Sequence, residues 1–180
     1  MLRLVLLLLV GCGSYVGSAR PFAPARLAEP GWIAVRGVPF VAQRAESDCG
    51  AAAIAMVVGY WTGAPAAPLA DTLRPAPRDG IRAARLRDLA RSRGLASFLV
   101  QGSFDDLARE LGAGRPVLVG LVKPHRRNVL THYEIVVGWH PKTRTVVTLD
   151  PAAGWRANSF DGFVAEWQPA RWLTLIVASR

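Results

Sequence analysis

The stretch Val38–Gly63, VPFVAQRAESDCGAAAIAMVVGYWTG, decides the fold. From Cys49 to Trp61 it holds small and apolar residues with no turn signal, which predicts a buried helix. Ser47 or Asp48 is the expected N-cap, because a short side-chain oxygen can accept from the free amides of a helix's first turn. The sequence therefore predicts a buried helix whose first residue is a cysteine.

The segments on either side of this helix differ in character. The segment Trp32–Val41 is expected to be extended, and the proline-rich segment Ala64–Asp79 to hold about one helical turn. Further helices are predicted at Ile81–Arg93, Ser103–Leu111 and Phe160–Trp167, and strands at Leu95–Val100, Arg115–Val122, His132–Trp139, Thr145–Leu149 and Trp172–Val177. Helices dominate the first half and strands the second, which predicts an α+β fold with the first helix packed on an antiparallel sheet.

The composition is that of a globular domain. The chain has 180 residues, of which 51% are hydrophobic and 19% charged, which suits one domain of ordinary size. Lysine occurs only at Lys123 and Lys142, so arginine supplies 20 of the 22 basic residues and most of the net charge of +9. The arginines are scattered and accompany no nucleic-acid motif, so we expect a basic surface or attraction to an acidic envelope, and no nucleic-acid partner.

The N-terminus is predicted to be an export signal. Met1-Leu2-Arg3 precedes an apolar run, Leu4–Val10, which is too short to span a bilayer but suits a signal-peptide core. The string that ends in Cys12 resembles a bacterial lipoprotein signal, in which a small residue precedes the cysteine that receives the lipid. An ordinary cleaved signal and a buried N-terminal strand with a chance cysteine are the alternatives. With Gly13 next, the resemblance favours the periplasmic face of the outer membrane over retention at the inner one.

This interpretation divides the chain into three parts. Residues 1–11 are the expected signal peptide, 12–31 a flexible membrane tether rich in Gly, Ser, Ala and Pro, and 32–180 the folded domain. Cys12 and Cys49 are the only cysteines. A lipid on Cys12 leaves Cys49 without a disulfide partner, and an unpaired cysteine in an exported protein is commonly functional or well buried. A Cys12–Cys49 disulfide is the less favoured alternative.

Four positions suit a thiol-nucleophile site. Cys49 opens a helix, where the dipole and free amides favour a thiolate. His132 is predicted to open a strand, where it can share a proton with the thiol, and Asp150 closes the next strand, where it can orient the imidazole. Gln43 precedes the nucleophile and can donate to an oxyanion together with the Cys49 amide.

These positions resemble those of papain-like cysteine peptidases. The resemblance rests on Gln43, Asp48-Cys49-Gly50, His132-Tyr133 and Asp150-Pro151. It is strongest with the bacteriocin-processing family, which cleaves leader peptides after a double glycine. It implies Cys49 as nucleophile, His132 as general base and acid, Asp150 as the orienting residue and Gln43 as oxyanion donor.

The resemblance covers roughly residues 38–172. It implies a papain-like fold and a peptide or protein substrate such as a leader peptide. The best-known members carry this domain on a membrane-spanning ABC exporter. The sequence shows no such span and no ATPase, so we expect a lipid-anchored peptidase that stands alone.

Several alternatives compete with this interpretation. His125 is expected in a solvated basic loop and His140 at the far end of the strand, so His132 is the histidine expected at the site. Glu134 shares the strand face of His132, and we expect it to pair with an arginine at the rim. The histidines and cysteines lack zinc spacing, so no metal or cofactor is expected. A non-catalytic binding domain for an exported partner, an acyl transferase and a cell-wall amidase are the rival functions.

Overall fold

The computed structural model describes residues 17–73, 80–125 and 128–180. In these residues the helices are α1 (Cys49–Thr62), α2 (Ala66–Thr72), α3 (Ala83–Ser92), α4 (Phe104–Gly112) and α5 (Phe160–Trp167). The strands are β1 (Arg20–Pro21), β2 (Ile33–Ala34), β3 (Ala96–Gln101), β4 (Val117–His125), β5 (Asn128–His140), β6 (Thr145–Asp150), β7 (Gly154–Ser159) and β8 (Leu173–Ala178). Short 3₁₀ turns lie at Pro24–Ala28 and Gln168–Ala170.

The strands form one antiparallel sheet in the order β1-β7-β6-β5-β4-β8-β3. The short strand β2 pairs with β5 at Gly138 and Trp139, past Val136, where the ladder between β5 and β4 stops. The helix α1 packs against β5 and β4 and is enclosed further by α2 and α3. This arrangement confirms the predicted α+β fold, in which the first helix lies on an antiparallel sheet.

The helix α1 is buried because it is apolar on every side. All residues from Cys49 to Gly59 are buried, so no side of this part of the helix faces solvent. Gly59 allows α2 to approach, because an added Cβ there would lie 2.9 Å from the Cβ of Ala66. The helix ends at Gly63, whose φ of 68° is left-handed and whose amide bonds to the Gly59 carbonyl. Local sequence and packing thus fix both the place and the length of the helix.

Two strands differ from the prediction. The strand β5 begins at Asn128, so His132 lies inside the strand and does not open it. The reason is that β4 continues to His125 and keeps its ladder with β5, although the charged residues there suggested a loop. The strand β7 was not predicted, since its mixed sequence GWRANS lacks a period-two pattern, but the ladder with β6 holds it.

The N-terminal segment also differs from the prediction. Residues 17–31 were expected to belong to the flexible tether, yet β1 pairs with β7, and Phe22 and Leu27 are buried. The Ser18 amide and hydroxyl both bond to the Glu166 carboxylate. Buried apolar side chains therefore make this segment part of the folded domain. The signal at 1–11 and the lipid site at Cys12 lie outside the described residues.

None of the helices within 17–73, 80–125 and 128–180 has the length and apolar character that crossing a bilayer requires.

Candidate active site

Cys49 is the first residue of α1. It is buried, with 5% of its surface exposed, and it forms no disulfide within the described residues. Asp48 is the N-cap residue by position, but among the described residues no side chain caps this helix. The first helical bond runs from the Ala52 amide to the Asp48 carbonyl. The amides of Cys49 and Gly50 precede that bond and have no acceptor within the helix. The thiol therefore lies at the positive end of the helix dipole, beside backbone amides that have no acceptor within the helix.

The residue after Cys49 must be small because β5 lies close to the helix. A Cβ added to Gly50 would lie 3.2 Å from the Tyr133 ring and 3.3 Å from the Cβ of Ile81. Burial and the charge of Cys49 raise the pKa of Tyr133 to about 12, so its phenol stays neutral beside the thiol. Gly50 and Tyr133 together bring the helix start against the strand that carries His132.

His132 joins Cys49 to Asp150. Its Nε2 lies 2.7 Å from Asp150 Oδ1, and both side chains are fully buried. The Cys49 thiol interacts with the same ring, and that interaction raises the pKa of His132. Because Asp150 occupies Nε2, Nδ1 is the nitrogen left for the thiol. The structure thus brings three of the four predicted site residues together around one imidazole ring.

The surroundings of His132 favour the imidazolium. Burial alone would lower the pKa of His132, but hydrogen bonds to Asp150 and Cys49 and the charges of Asp150 and Glu134 outweigh it. Together they raise the pKa to about 10. At neutral pH the ring is therefore protonated.

Asp150 is fixed by its own turn as well as by His132. Its Oδ1 accepts a second hydrogen bond, 2.7 Å long, from the Ala152 amide. Burial would raise the pKa of Asp150, but the hydrogen bond and charge of His132, the Ala152 amide and the Lys123 charge lower it. The carboxylate is thus held in place and ionised where β6 ends.

Gln43 lies beside the same turn. Its backbone amide bonds to the Pro151 carbonyl at 2.9 Å, which connects the segment before α1 to the residue after Asp150. The side-chain Oε1 is buried and has no hydrogen-bond partner within the described part of the chain. The structure therefore places Gln43 at this end of the sheet, with its side-chain oxygen not satisfied by the described residues.

A buried ion-pair network adjoins the site. Lys123 Nζ lies 2.5 Å from Glu134 Oε1 and 3.1 Å from Glu166 Oε2. Glu134 was expected to pair with an arginine at the rim, but it is 1% exposed and pairs with this lysine. The difference arises because the hairpin of β4 and β5 carries Lys123 onto the face of Glu134.

Sequence reasoning missed Lys123 and Glu166 altogether. The signal for Lys123 was a lysine in an apolar strand of an arginine-rich chain. Ligand-type atoms of His132, Glu134 and Asp150 lie within 4.8 Å of one another, an arrangement that could hold a cation. We assign this group to the ion-pair network, because the Lys123 ammonium already contacts Glu134.

His140 lies away from the site, as expected. Its ring contacts Trp32, with 5.0 Å between the ring centroids, at the opposite end of β5. The backbone of His125 belongs to β4 and pairs with Asn128, where a loop was expected.

A cysteine at the start of a buried helix, packed on an antiparallel sheet that carries histidine and aspartate, defines the papain-like class of cysteine peptidases. Residues 37–179 match the model of the Peptidase C39 family, so the chain belongs to that family. None of the curated proteins matches the sequence.

Solved structures show the same fold at low sequence identity. The peptidase domain of Streptococcus ComA, a bifunctional ABC transporter of a quorum-sensing pathway, is 22% identical with a TM-score of 0.61, covering 80% of this chain and all of its own. A double-glycine-motif protease of an AMS/PCAT transporter, in complex with the leader peptide, is 22% identical with a TM-score of 0.63, covering 82% of this chain and 95% of its own. A protein described as C39-like peptidase from Bacillus anthracis is 16% identical with a TM-score of 0.64, covering 83% and 98% respectively.

Proposed function

We propose that this protein is a peptidase that hydrolyses peptide bonds through a thioester intermediate. Cys49 is the nucleophile, His132 the general base and acid, and Asp150 the residue that orients His132. The observation that carries the proposal is the buried His132–Asp150 pair, with the Cys49 thiol acting on the same imidazole ring.

The geometry supports both half-reactions. In the resting pair the thiol proton is on His132, and the Cys49 thiolate attacks the substrate carbonyl. His132 then protonates the leaving amine as the C–N bond breaks, which leaves an acyl group on sulfur. A water molecule gives a proton to His132 and attacks the thioester, which releases the acid and the thiol. The protonated ring that Asp150 stabilises is suited to donate to the amine.

The backbone amide of Cys49 and the side chain of Gln43 are the proposed oxyanion donors. The amide precedes the first helical bond of α1 and needs an acceptor. Gln43 has a side-chain oxygen that no described residue satisfies, and its amide group can contact a substrate's peptide group through both ends. Removing one such donor costs about 10²–10³-fold in turnover in comparable sites.

The proposed substrate is a peptide or protein such as a leader peptide. A structure with this fold is known in complex with the leader peptide, which supports a peptide substrate. We further propose that Cys12 carries a lipid and that the enzyme works at the bacterial envelope, with the export signal in the sequence as support.

The test is a comparison of envelope proteomes from cells that express wild-type or Cys49→Ala protein. Peptides whose uncut form accumulates only with the variant identify the substrate. Purified protein should then cut that peptide. A free carboxyl terminus and a free amino terminus at the cleaved bond indicate hydrolysis, whereas acyl transfer leaves the carboxyl group joined to another amine. An unchanged proteome, together with retention of a partner by both proteins, would refute the peptidase and favour a binding domain.

A further inference from the structure

Lys123 is a buried charge that the proposed reaction does not use. It lies on β4 among apolar residues and is 0% exposed. Burying an ammonium is unfavourable unless it is paired and hydrogen-bonded. The charged groups that face it are Glu134 from β5, Asp150 from β6 and Glu166 from α5. Its position therefore requires an explanation in terms of these carboxylates.

Glu134 is a potential competitor of Asp150 for His132. It lies two residues from His132 on the same strand face, and ligand-type atoms of His132, Glu134 and Asp150 all lie within 4.8 Å of one another. Two carboxylates this close repel each other, so without a counter-charge they tend to share a proton. A shared proton would weaken the acceptor that orients His132.

The ion pair between Lys123 and Glu134, 2.5 Å long, reduces both the repulsion between the carboxylates and the competition of Glu134 for His132. It engages Glu134 Oε1, and it places a positive charge next to Asp150. Glu166, on α5, also holds the ammonium. Its Oε2 lies 3.1 Å from Lys123 Nζ, and its Oε1 accepts a hydrogen bond from the Ser18 amide. Lys123 is thus held by Glu134 and Glu166 and lies near Asp150.

We propose that Lys123 is a positioning residue of the active site, whose buried ammonium engages Glu134 and keeps Asp150 available as the carboxylate that orients His132. This assignment rests on the proposed function of Cys49 and His132. The Lys123 charge is among the influences that lower the pKa of Asp150, which agrees with the geometry.

The experiment measures the rate of Cys49 alkylation by iodoacetamide against pH. Full-length protein with Cys12→Ser leaves Cys49 as the sole thiol. In Lys123→Met, Asp150 loses a positive charge that lowers its pKa and takes up a proton at higher pH, which weakens the imidazolium–thiolate pair. We expect the acidic limb of the profile to move up by about one pH unit, a tenfold lower rate on that limb.

A second substitution separates this role from a structural one. Lys123→Met with Glu134→Gln removes the competing carboxylate together with the ammonium, and we expect the acidic limb to return part of the way to the wild-type position. Lys142→Met, at the chain's exposed lysine, is the matched control and should leave the profile unchanged.

A folded Lys123→Met protein whose profile superimposes on that of the wild type would overturn the assignment. Should that variant fail to fold, the double variant is compared with Glu134→Gln alone, which differs from it only at Lys123. Because neither protein keeps the competing carboxylate, we expect their profiles to lie close together, and an acidic limb displaced between them by a full pH unit would overturn the assignment, since Lys123 would then act independently of Glu134. If wild-type Cys49 itself reacts as an ordinary thiol, the proposed function fails and this assignment fails with it.

Discussion

His132 Nε2 lies 2.7 Å from Asp150 Oδ1, and no part of either side chain reaches solvent. Burial makes this pair stronger than the same contact at a surface, because water does not screen it. It also makes the pair intolerant of losing one member, since the other would be left as an isolated buried polar group.

The first prediction concerns the reactivity of the thiol. Wild-type Cys49 should react with iodoacetamide well below pH 7, because His132 accepts its proton. In His132→Ala the profile should move toward that of an ordinary thiol, which titrates near pH 8.5. The helix dipole contributes only about 0.3–1 kcal/mol, so the imidazolium should dominate. Profiles that rise together near pH 8.5 in both proteins would show that the ion pair does not form.

The second prediction concerns stability against pH in Cys49→Ala, where no thiol titrates at position 49. The pKa of His132 is raised above its ordinary 6.5, toward about 10, so the folded state binds a proton that the unfolded state loses. Its stabilisation is fully present below pH 6.5 and is lost as pH rises through the folded pKa. The loss of the Cys49 hydrogen bond brings the upper end of this window below 10.

Urea denaturation at a series of pH values measures the effect. The free energy of unfolding of Cys49→Ala should fall across this window by an amount on the order of a few kcal/mol. In Cys49→Ala with His132→Gln, the titrating ring is absent and the decline should disappear. A decline of equal size in both proteins would contradict the assignment to His132.

The third prediction concerns Asp150. In Asp150→Asn the Oδ1 acceptor can remain, held by the Ala152 amide, so part of the activity should survive. The new amide donors would lie near the Lys123 ammonium, so kcat/KM should still fall. Asp150→Ala removes the acceptor, and we expect a loss of about 10²–10⁴ in kcat/KM. Equal and complete loss in both folded variants would mean that the carboxylate charge, and not orientation, is essential.

The fourth prediction concerns the N-terminal segment. A Cβ added at Gly17 would lie 2.0 Å from Glu166 Oε1, and the φ of 58° is left-handed. Gly17→Ala should therefore lower the free energy of unfolding by about 1–3 kcal/mol. Gly37→Ala is the matched control, since Gly37 has a φ of 78° but nothing within 4 Å of an added Cβ. Equal losses in thermal-melt experiments would show backbone strain alone and no docking on Glu166.

The fifth prediction concerns the anchor. Cys12→Ser should release the protein from the membrane fraction into the soluble fraction, because stable attachment requires the acyl chains. Intact mass of the mature wild-type protein should show a lipid-modified Cys12 at its N-terminus. An unmodified N-terminus downstream of Cys12 would exclude the anchor.

The sequence was sufficient for those parts of the fold that depend on local pattern. The helix α1 follows from thirteen small and apolar residues, from Cys49 to Trp61, and the capping box of Ser103 and Asp106 marks the start of α4. It was insufficient where long-range pairing decides, as for β7, for β1 and for the first residues of β5. These segments are strands because a neighbouring strand accepts their hydrogen bonds.

The same division holds for the candidate site. Cys49, His132 and Asp150 could be selected because each stands at a position whose chemistry is local: a helix start, a strand and a strand end. Lys123 and Glu166 could not, because their significance depends on β4 and α5 meeting over the same face of the sheet. A buried charge is visible in sequence only as an anomaly in an apolar strand, and its partners come from the three-dimensional structure.

Because the chain is docked on the domain from Ser18 onward, the segment that could act as a membrane tether is shorter than expected. With Cys12 lipidated as proposed, only about six residue steps separate the acyl chains from Ser18, a reach of roughly 20 Å when fully extended. A tether running to residue 31 would have allowed roughly three times that distance. The catalytic domain would therefore move within a thin layer beside the bilayer, and would encounter polypeptides mainly as they emerge from or lie along the membrane. Proximity to the membrane would then select substrates before the active site does.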